Sequence, residues 1–179
     1  MKRLIILNIT LITLELQLQV KTFKTKSIIL NMERMKRIMI LGVTQILLGC
    51  FIGFIPPPAV IHFRSIVTAH IEFCVNGILL TVLGILTQYM DLNPFLFFIL
   101  EITSYLGTYC NGAAFLVSAF TGFGTKLAPT INEKFPFPQG IEGGYSTLMT
   151  NILMICGVNM VISLFLALIG LYQYKPKKN

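Results

Sequence analysis

Four long apolar stretches constrain the fold of this chain more than any other feature of its sequence. They comprise residues 38–55, 66–90, 94–120 and 148–172. An α-helix needs about 20 apolar residues to cross the hydrocarbon core of a bilayer. Backbone groups cannot stay unpaired in lipid, and none of the stretches alternates as a barrel strand does. The sequence therefore predicts an all-α fold, an integral membrane four-helix bundle over residues 38–173.

The composition agrees with a chain that is largely surrounded by membrane lipid. Hydrophobic residues make up 55% of it and charged residues 12%, whereas a soluble domain carries about 25% charged residues. The net charge of +7 does not indicate nucleic acid, because the basic residues cluster at the ends of the spans rather than on one face of a folded domain. Lipid is the expected partner, and no nucleic acid is expected.

The basic residues predict the orientation of the chain in the membrane. Eleven of the 14 lysines and arginines precede the first span or follow the last, and the connection between spans two and three has none. The positive-inside rule then predicts a multi-pass protein with both termini in the cytoplasm. Residues 1–37 are expected to form a basic tail that is poorly ordered or lies on the membrane surface, and residues 174–179 a short basic tail.

The connections between the spans differ in length. Three prolines at 56–58 end the first span, and a tight link at 91–94 makes spans two and three an antiparallel hairpin. The last connection, residues 122–147, is long enough to cover the outer mouth of the bundle. Loops of that length are usually lids, binding loops or disordered segments.

Span two carries two polar faces. An ionisable side chain inside lipid is costly and normally faces the bundle interior with a partner. At 100° per residue, the side chains of Glu72 and Asn76 project from the same face of the helix. His70 lies on another face, together with the small residues Gly77, Thr81 and Gly84. That second face offers an imidazole beside a surface on which something flat could lie close to the backbone.

Span three carries a continuous polar and aromatic stripe at helical spacing. Its members are Glu101, Tyr105, Thr108, Tyr109 and Gly112, with Asn111 on the flank. We expect this stripe to face the polar side of span two, with Glu72 hydrogen-bonded to Tyr105 or Tyr109. The alternative is that these groups serve only as contacts between helices.

The remaining candidates for metal or thiol chemistry are few. His62 lies in an outer connection and is expected to be exposed. The four cysteines each lie within a span and are expected to be small core residues. No phosphate loop or zinc motif is present. A single histidine inside the spans excludes a haem held by two histidines of one chain, but not a haem with one axial imidazole.

Two blocks resemble the hydroxylaminobenzene mutase family. Residues 68–77, TAHIEFCVNG, are similar to its A-H-x-E-x-x-x-N-G signature, and residues 105–111, YLGTYCN, look like its Y-G-T-Y-A-N run. A more distant resemblance is to the styrene oxide isomerases, which are small four-helix membrane enzymes that bind haem b through a histidine and form trimers. Where those isomerases have a catalytic tyrosine, this chain has Phe115, which favours the mutase branch.

The resemblance implies an intramolecular transferase that converts a small aryl hydroxylamine to an aminophenol. It implies haem b with His70 as the axial metal ligand, a homo-oligomer, and a substrate site lined by Asn76 and Asn111. We assign proton transfer to Glu72 or to the two tyrosines of the stripe. The competing interpretation is a non-enzymatic membrane scaffold or small-solute carrier of the same fold.

Overall fold

Four helices make up the computed structural model, which describes residues 2–125, 127 and 143–175. They are α1 (Lys2–Gly53), α2 (Phe63–Leu86), α3 (Pro94–Thr121) and α4 (Thr147–Gln173). The predicted spans 94–120 and 148–172 differ from α3 and α4 by at most one residue at either end. The all-α membrane bundle is confirmed.

Local sequence chemistry sets the helix ends. The α1 helix ends just before the proline run, because prolines lack the amide hydrogen that a helix needs. The side chain of Asn93 accepts a hydrogen bond from Leu96 N at 2.9 Å and so caps α3. Gly122 ends α3 in the left-handed region at φ 73°, where a residue with a Cβ atom is disfavoured.

Three described segments are long and apolar enough to span a membrane: Met32–Gly53, Phe63–Tyr89 and Thr147–Gln173. The fourth helix, α3, has 28 residues, but its polar stripe makes it less apolar. One hydrophobic cluster joins Leu83 of α2 to Phe97 of α3, and another joins Ile66 to Ala119 at the opposite ends of both helices. Since α3 runs alongside a span over its whole length, we infer that it is the fourth crossing.

The sequence predicts that residues 1–37 form a basic tail that is poorly ordered or lies on the membrane surface. In the structure α1 continues without a break from Lys2 to Gly53, so the predicted boundary at residue 38 is not a helix end. Residues 176–179 of the predicted C-terminal tail, and residues 126 and 128–142 of the long connection, lie outside the described residues.

Glycines bring α1 and α2 into backbone contact. A Cβ atom built on Gly42 would lie 2.8 Å from the carbonyl oxygen of Gly77, and one built on Gly49 would lie 3.0 Å from the nitrogen of Cys74. Small residues that allow such close approach are the usual basis of helix packing in lipid. The position of His70 and Glu72 on α2 is therefore fixed tightly relative to α1.

Candidate functional site

Glu72 of α2 accepts hydrogen bonds from two amides. The Nδ2 atom of Asn76, one turn along the same helix, donates to Glu72 Oε2 at 3.0 Å. The Nδ2 atom of Asn111 on α3 donates to the same oxygen at 2.5 Å. The polar face of span two thus meets span three at Asn111, which lies on the flank of the predicted stripe and not within it. No salt bridge to Glu72 occurs among the described residues.

The two tyrosines do not contact Glu72, so that expectation is wrong. Tyr105 donates from its hydroxyl to Glu101 Oε1 at 2.8 Å. Tyr109 donates to the carbonyl oxygen of Leu41 on α1 at 2.6 Å. Both phenols project toward α1 rather than toward the Glu72 side of α2, which leaves the two asparagines as its partners. Of the five predicted catalytic residues, the structure brings together Glu72, Asn76 and Asn111.

Glu101 has a cation as its partner, which the sequence did not predict. Arg37 of α1 donates from Nε to Glu101 Oε1 at 2.6 Å and from Nη2 to Oε2 at 3.2 Å. The prediction that the polar face of span two supplies this partner is wrong, since Arg37 lies on α1. Because α1 is helical through residue 37, the arginine side chain reaches into the bundle from the end of the span.

His70 faces α1 with a defined ring orientation. Its Nδ1 atom lies 2.8 Å from the carbonyl oxygen of Gly49. A carbonyl can only accept, so Nδ1 carries a proton, and in the neutral ring Nε2 is then the nitrogen with the lone pair. Gly53 leaves room for the ring, since a Cβ atom there would lie 2.8 Å from Nδ1.

An apolar groove of about 420 Å³ opens beside this imidazole. Its lining includes Cys50, Phe54, Phe63, Val67 and His70 itself. The flat surface predicted over Gly77 is instead filled by α1, because a Cβ atom on Gly77 would lie 2.7 Å from the carbonyl oxygen of Gly42. A bulky group next to His70 would therefore have to lie on the groove side, not over Gly77.

His70 and Glu72 point to different sides of α2. His70 contacts α1, whereas Glu72 contacts α3. Between them runs an exposed apolar ridge on α2, formed by Val67, Ile71, Val75 and Ile78. The two predicted centres of chemistry are therefore separate within a single copy of the chain.

His62 is buried, with 6% of its surface exposed, so the prediction of an exposed histidine is wrong. Its Nδ1 atom lies 2.6 Å from Ser65 Oγ, which lies 3.0 Å from Ser118 Oγ. The backbone nitrogen of His62 also donates to the carbonyl oxygen of Ala119 at 2.9 Å. These bonds hold the connection between α1 and α2 against the C-terminal end of α3.

Comparison with known proteins gives two matches. Residues 34–172 match the family model described as styrene oxide isomerase. A hydroxylaminobenzene mutase of Ectopseudomonas oleovorans is 27% identical over 144 residues, which cover 80% of this chain and 85% of that protein. No solved structure matches significantly. The family match begins at Arg34 in α1 and runs to the end of α4, so it includes His70, the glutamate–asparagine cluster and the helices that hold them. This chain therefore belongs to the styrene oxide isomerase family.

Proposed function

We propose that this membrane protein is an isomerase that moves a hydroxyl group within a small aryl hydroxylamine to give an aminophenol. The family match and the name of the mutase relative support an isomerase or mutase in general terms. The observation that carries the finer proposal is the carboxylate of Glu72, held by Asn76 and Asn111 between two membrane helices. Such a group is costly in lipid and usually functional.

The rearrangement needs proton transfers but no net oxidation. The N–O bond breaks with its electron pair going to oxygen, and a C–O bond forms on the ring. The ring carbon then loses a proton and the nitrogen gains one, so atoms and electrons balance. Glu72 can supply a proton to the departing oxygen and take up the one released from the ring. The two amides orient its carboxylate, and the apolar surroundings limit attack of water on the electron-poor ring.

Haem b, bound through His70, is part of this proposal. The donor set fits, because metal-binding histidines usually donate their other ring N–H to a carbonyl or carboxylate, as His70 does to Gly49. The described residues contain no group of three His, Cys, Asp or Glu side chains that could hold a bare metal ion. A haem needs only one protein ligand to its iron, and the His70 imidazole would supply that ligand. A haem with one open position would supply a Lewis acid for the hydroxylamine oxygen.

A homo-oligomer, with a trimer as the expected form, completes the proposal. Within one copy, α2 separates His70 from the Glu72 cluster. The exposed ridge of α2 lies between them and is apolar. Packing of a second copy against that ridge would bring the groove of one copy toward the cluster of the next.

The test uses full-length protein in membranes and after purification. Wild-type membranes should convert phenylhydroxylamine to 2-aminophenol, and purified protein should have an intense Soret absorption band. His70→Ala should lose both while the protein stays in the membrane, because helix packing does not depend on the imidazole. His62→Ala, which alters the other histidine of the chain, should keep the Soret band. Absence of conversion by haem-loaded wild type rejects the mutase proposal, and an unchanged Soret band in His70→Ala rejects the haem ligand.

A further inference from the structure

Gln45 of α1 is completely buried, and its amide has no hydrogen-bond partner in the part of the chain that the structure describes. Its exposed fraction is 0%. Neither Nε2 nor Oε1 has a hydrogen-bond partner among the described residues. Buried side-chain amides in folded proteins are almost always hydrogen-bonded, because leaving them unpaired costs stability. An orphaned donor and an orphaned acceptor on one side chain therefore indicate a group that binds something else.

The neighbours of Gln45 along α1 define where it points. Arg37, Leu41 and Gln45 follow one another at four-residue spacing, so they lie along one side of the helix. The first two contact α3, through Glu101 and Tyr109. The amide therefore projects toward the region where α1 meets α3, on the row that already holds these two contacts.

The glycines of α1 set the depth of Gln45 in the bundle. Gly42 lies against Gly77 of α2, and Gly49 lies against Cys74. Gln45 falls between those two levels, at the turn of α2 that carries Asn76. Asn76 is itself buried and donates to Glu72. The unpaired amide thus lies at the depth of the glutamate–asparagine cluster.

We propose that Gln45 binds the polar group of the substrate and selects a substrate that carries a hydrogen-bond donor next to an acceptor. This inference rests on the proposed function. Oε1 accepts a hydrogen bond and Nε2 donates one, which matches an N–OH group, because its N–H or O–H donates and its oxygen accepts. An epoxide oxygen only accepts and would leave Oε1 buried and unpaired, a penalty that makes polar sites strongly selective. Gln45 thus favours a hydroxylamine over an epoxide.

The experiment compares wild type with Gln45→Met and Gln45→Leu in purified, haem-loaded, full-length protein. Gln88→Met is the matched control, since Gln88 is exposed. Both Gln45 variants should raise the KM for phenylhydroxylamine about 10-fold or more, the equivalent of one to two lost hydrogen bonds. Their Soret spectra should be unchanged. Without ligand their melting temperature should rise, because the unpaired amide is gone.

A ligand-stabilisation measurement separates this inference from the proposed function. Phenylhydroxylamine should raise the melting temperature of wild type more than styrene oxide does, and the Gln45 variants should lose that preference. If wild type turns over phenylhydroxylamine while the variants keep its KM and the preference, the inference is wrong and the proposed function stands. If wild type shows the Gln45-dependent preference without turnover, the inference stands and the mutase proposal is wrong. If wild type shows no turnover and neither compound raises its melting temperature, both the inference and the proposed function are rejected.

Discussion

Glu72 and Glu101 are carboxylates on neighbouring helices of one bundle, but their partners differ in charge. Glu101 pairs with the guanidinium of Arg37 and accepts a hydrogen bond from Tyr105. Among residues 2–125, 127 and 143–175, Glu72 accepts hydrogen bonds from the neutral amides of Asn76 and Asn111 alone. The first arrangement neutralises a charge and ties α1 to α3. The second orients a carboxyl group between α2 and α3 with neutral partners alone among the described residues, and it is to this group that we assign proton transfer.

The largest expected difference between the Glu72 and Glu101 sites is their position across the membrane. Each site should lie closer to a different side of the bilayer. If both termini are cytoplasmic, the N-terminal end of α3, which carries Glu101, lies on the cytoplasmic side. The N-terminal end of α2, which is closer to Glu72 than to Glu101, then lies on the outer side. In a background with the native cysteines changed to alanine, Leu127→Cys should react with a membrane-impermeant thiol reagent in intact cells. Asp91→Cys should react only after the membrane is opened. The reverse pattern would invert the predicted topology.

Turnover should distinguish the two carboxylates by a wide margin. Glu72→Gln keeps the shape of the side chain but cannot transfer a proton, so conversion of phenylhydroxylamine should fall about 10²-fold or more. Its Soret band should not change. The matched variant Glu101→Gln should keep wild-type turnover. Equal rates for the two variants would remove the catalytic role given to Glu72.

Stability should distinguish them in the opposite direction. Arg37→Met leaves Glu101, which is only 8% exposed, without its counter-ion, and we expect a loss of about 1–3 kcal/mol in the free energy of unfolding. The loss stays below that of a fully buried pair because Arg37 is 57% exposed and partly screened.

A double-mutant cycle with Glu101→Gln, measured by denaturant unfolding in detergent, tests this coupling. The double variant should lose less than the sum of the single variants. Strict additivity would mean that the ion pair contributes nothing to stability.

The smallest effect concerns Tyr105, for which the sequence and the structure make different predictions. Tyr105→Phe removes one hydrogen bond to Glu101 and should cost about 0.5–1.5 kcal/mol of stability. If Tyr105 belongs only to the Arg37–Glu101 pair, as its contacts indicate, turnover stays at the wild-type level. A 10²-fold loss of turnover would instead restore the catalytic role predicted from the sequence.

Features that repeat along a helix were predictable from the sequence. Long apolar runs predicted α3, which begins at Pro94 and ends before Gly122, and α4 almost to the residue. The spacing of Glu72 and Asn76 predicted a polar face toward α3, and Asn111 meets it there. Each of these inferences needs only the helical period and the chemistry of the residues that end a helix.

Contacts that depend on side-chain reach were not predictable in the same way. Arg37 was counted as a topology signal, but a long side chain in a helix that continues past the membrane boundary can reach a buried carboxylate. Gln45 shares the buried side of α1 with Gly42 and Gly49. Its helical spacing from those glycines was the sequence signal that could have predicted a buried amide. His62 is buried because its backbone nitrogen bonds to Ala119, a long-range contact that no local pattern encodes.

The contact between α1 and α2 limits how this sequence can drift during evolution. Gly42, Gly49 and Gly53 each lie so close to α2 that even one methyl group would displace a neighbour. The exposed apolar ridge of α2 accepts any apolar residue of suitable size, whereas these three positions accept almost no change. Distant relatives that have lost the recognisable polar motifs should therefore still keep small residues at the spacing 42, 49 and 53, opposite a small residue at 77.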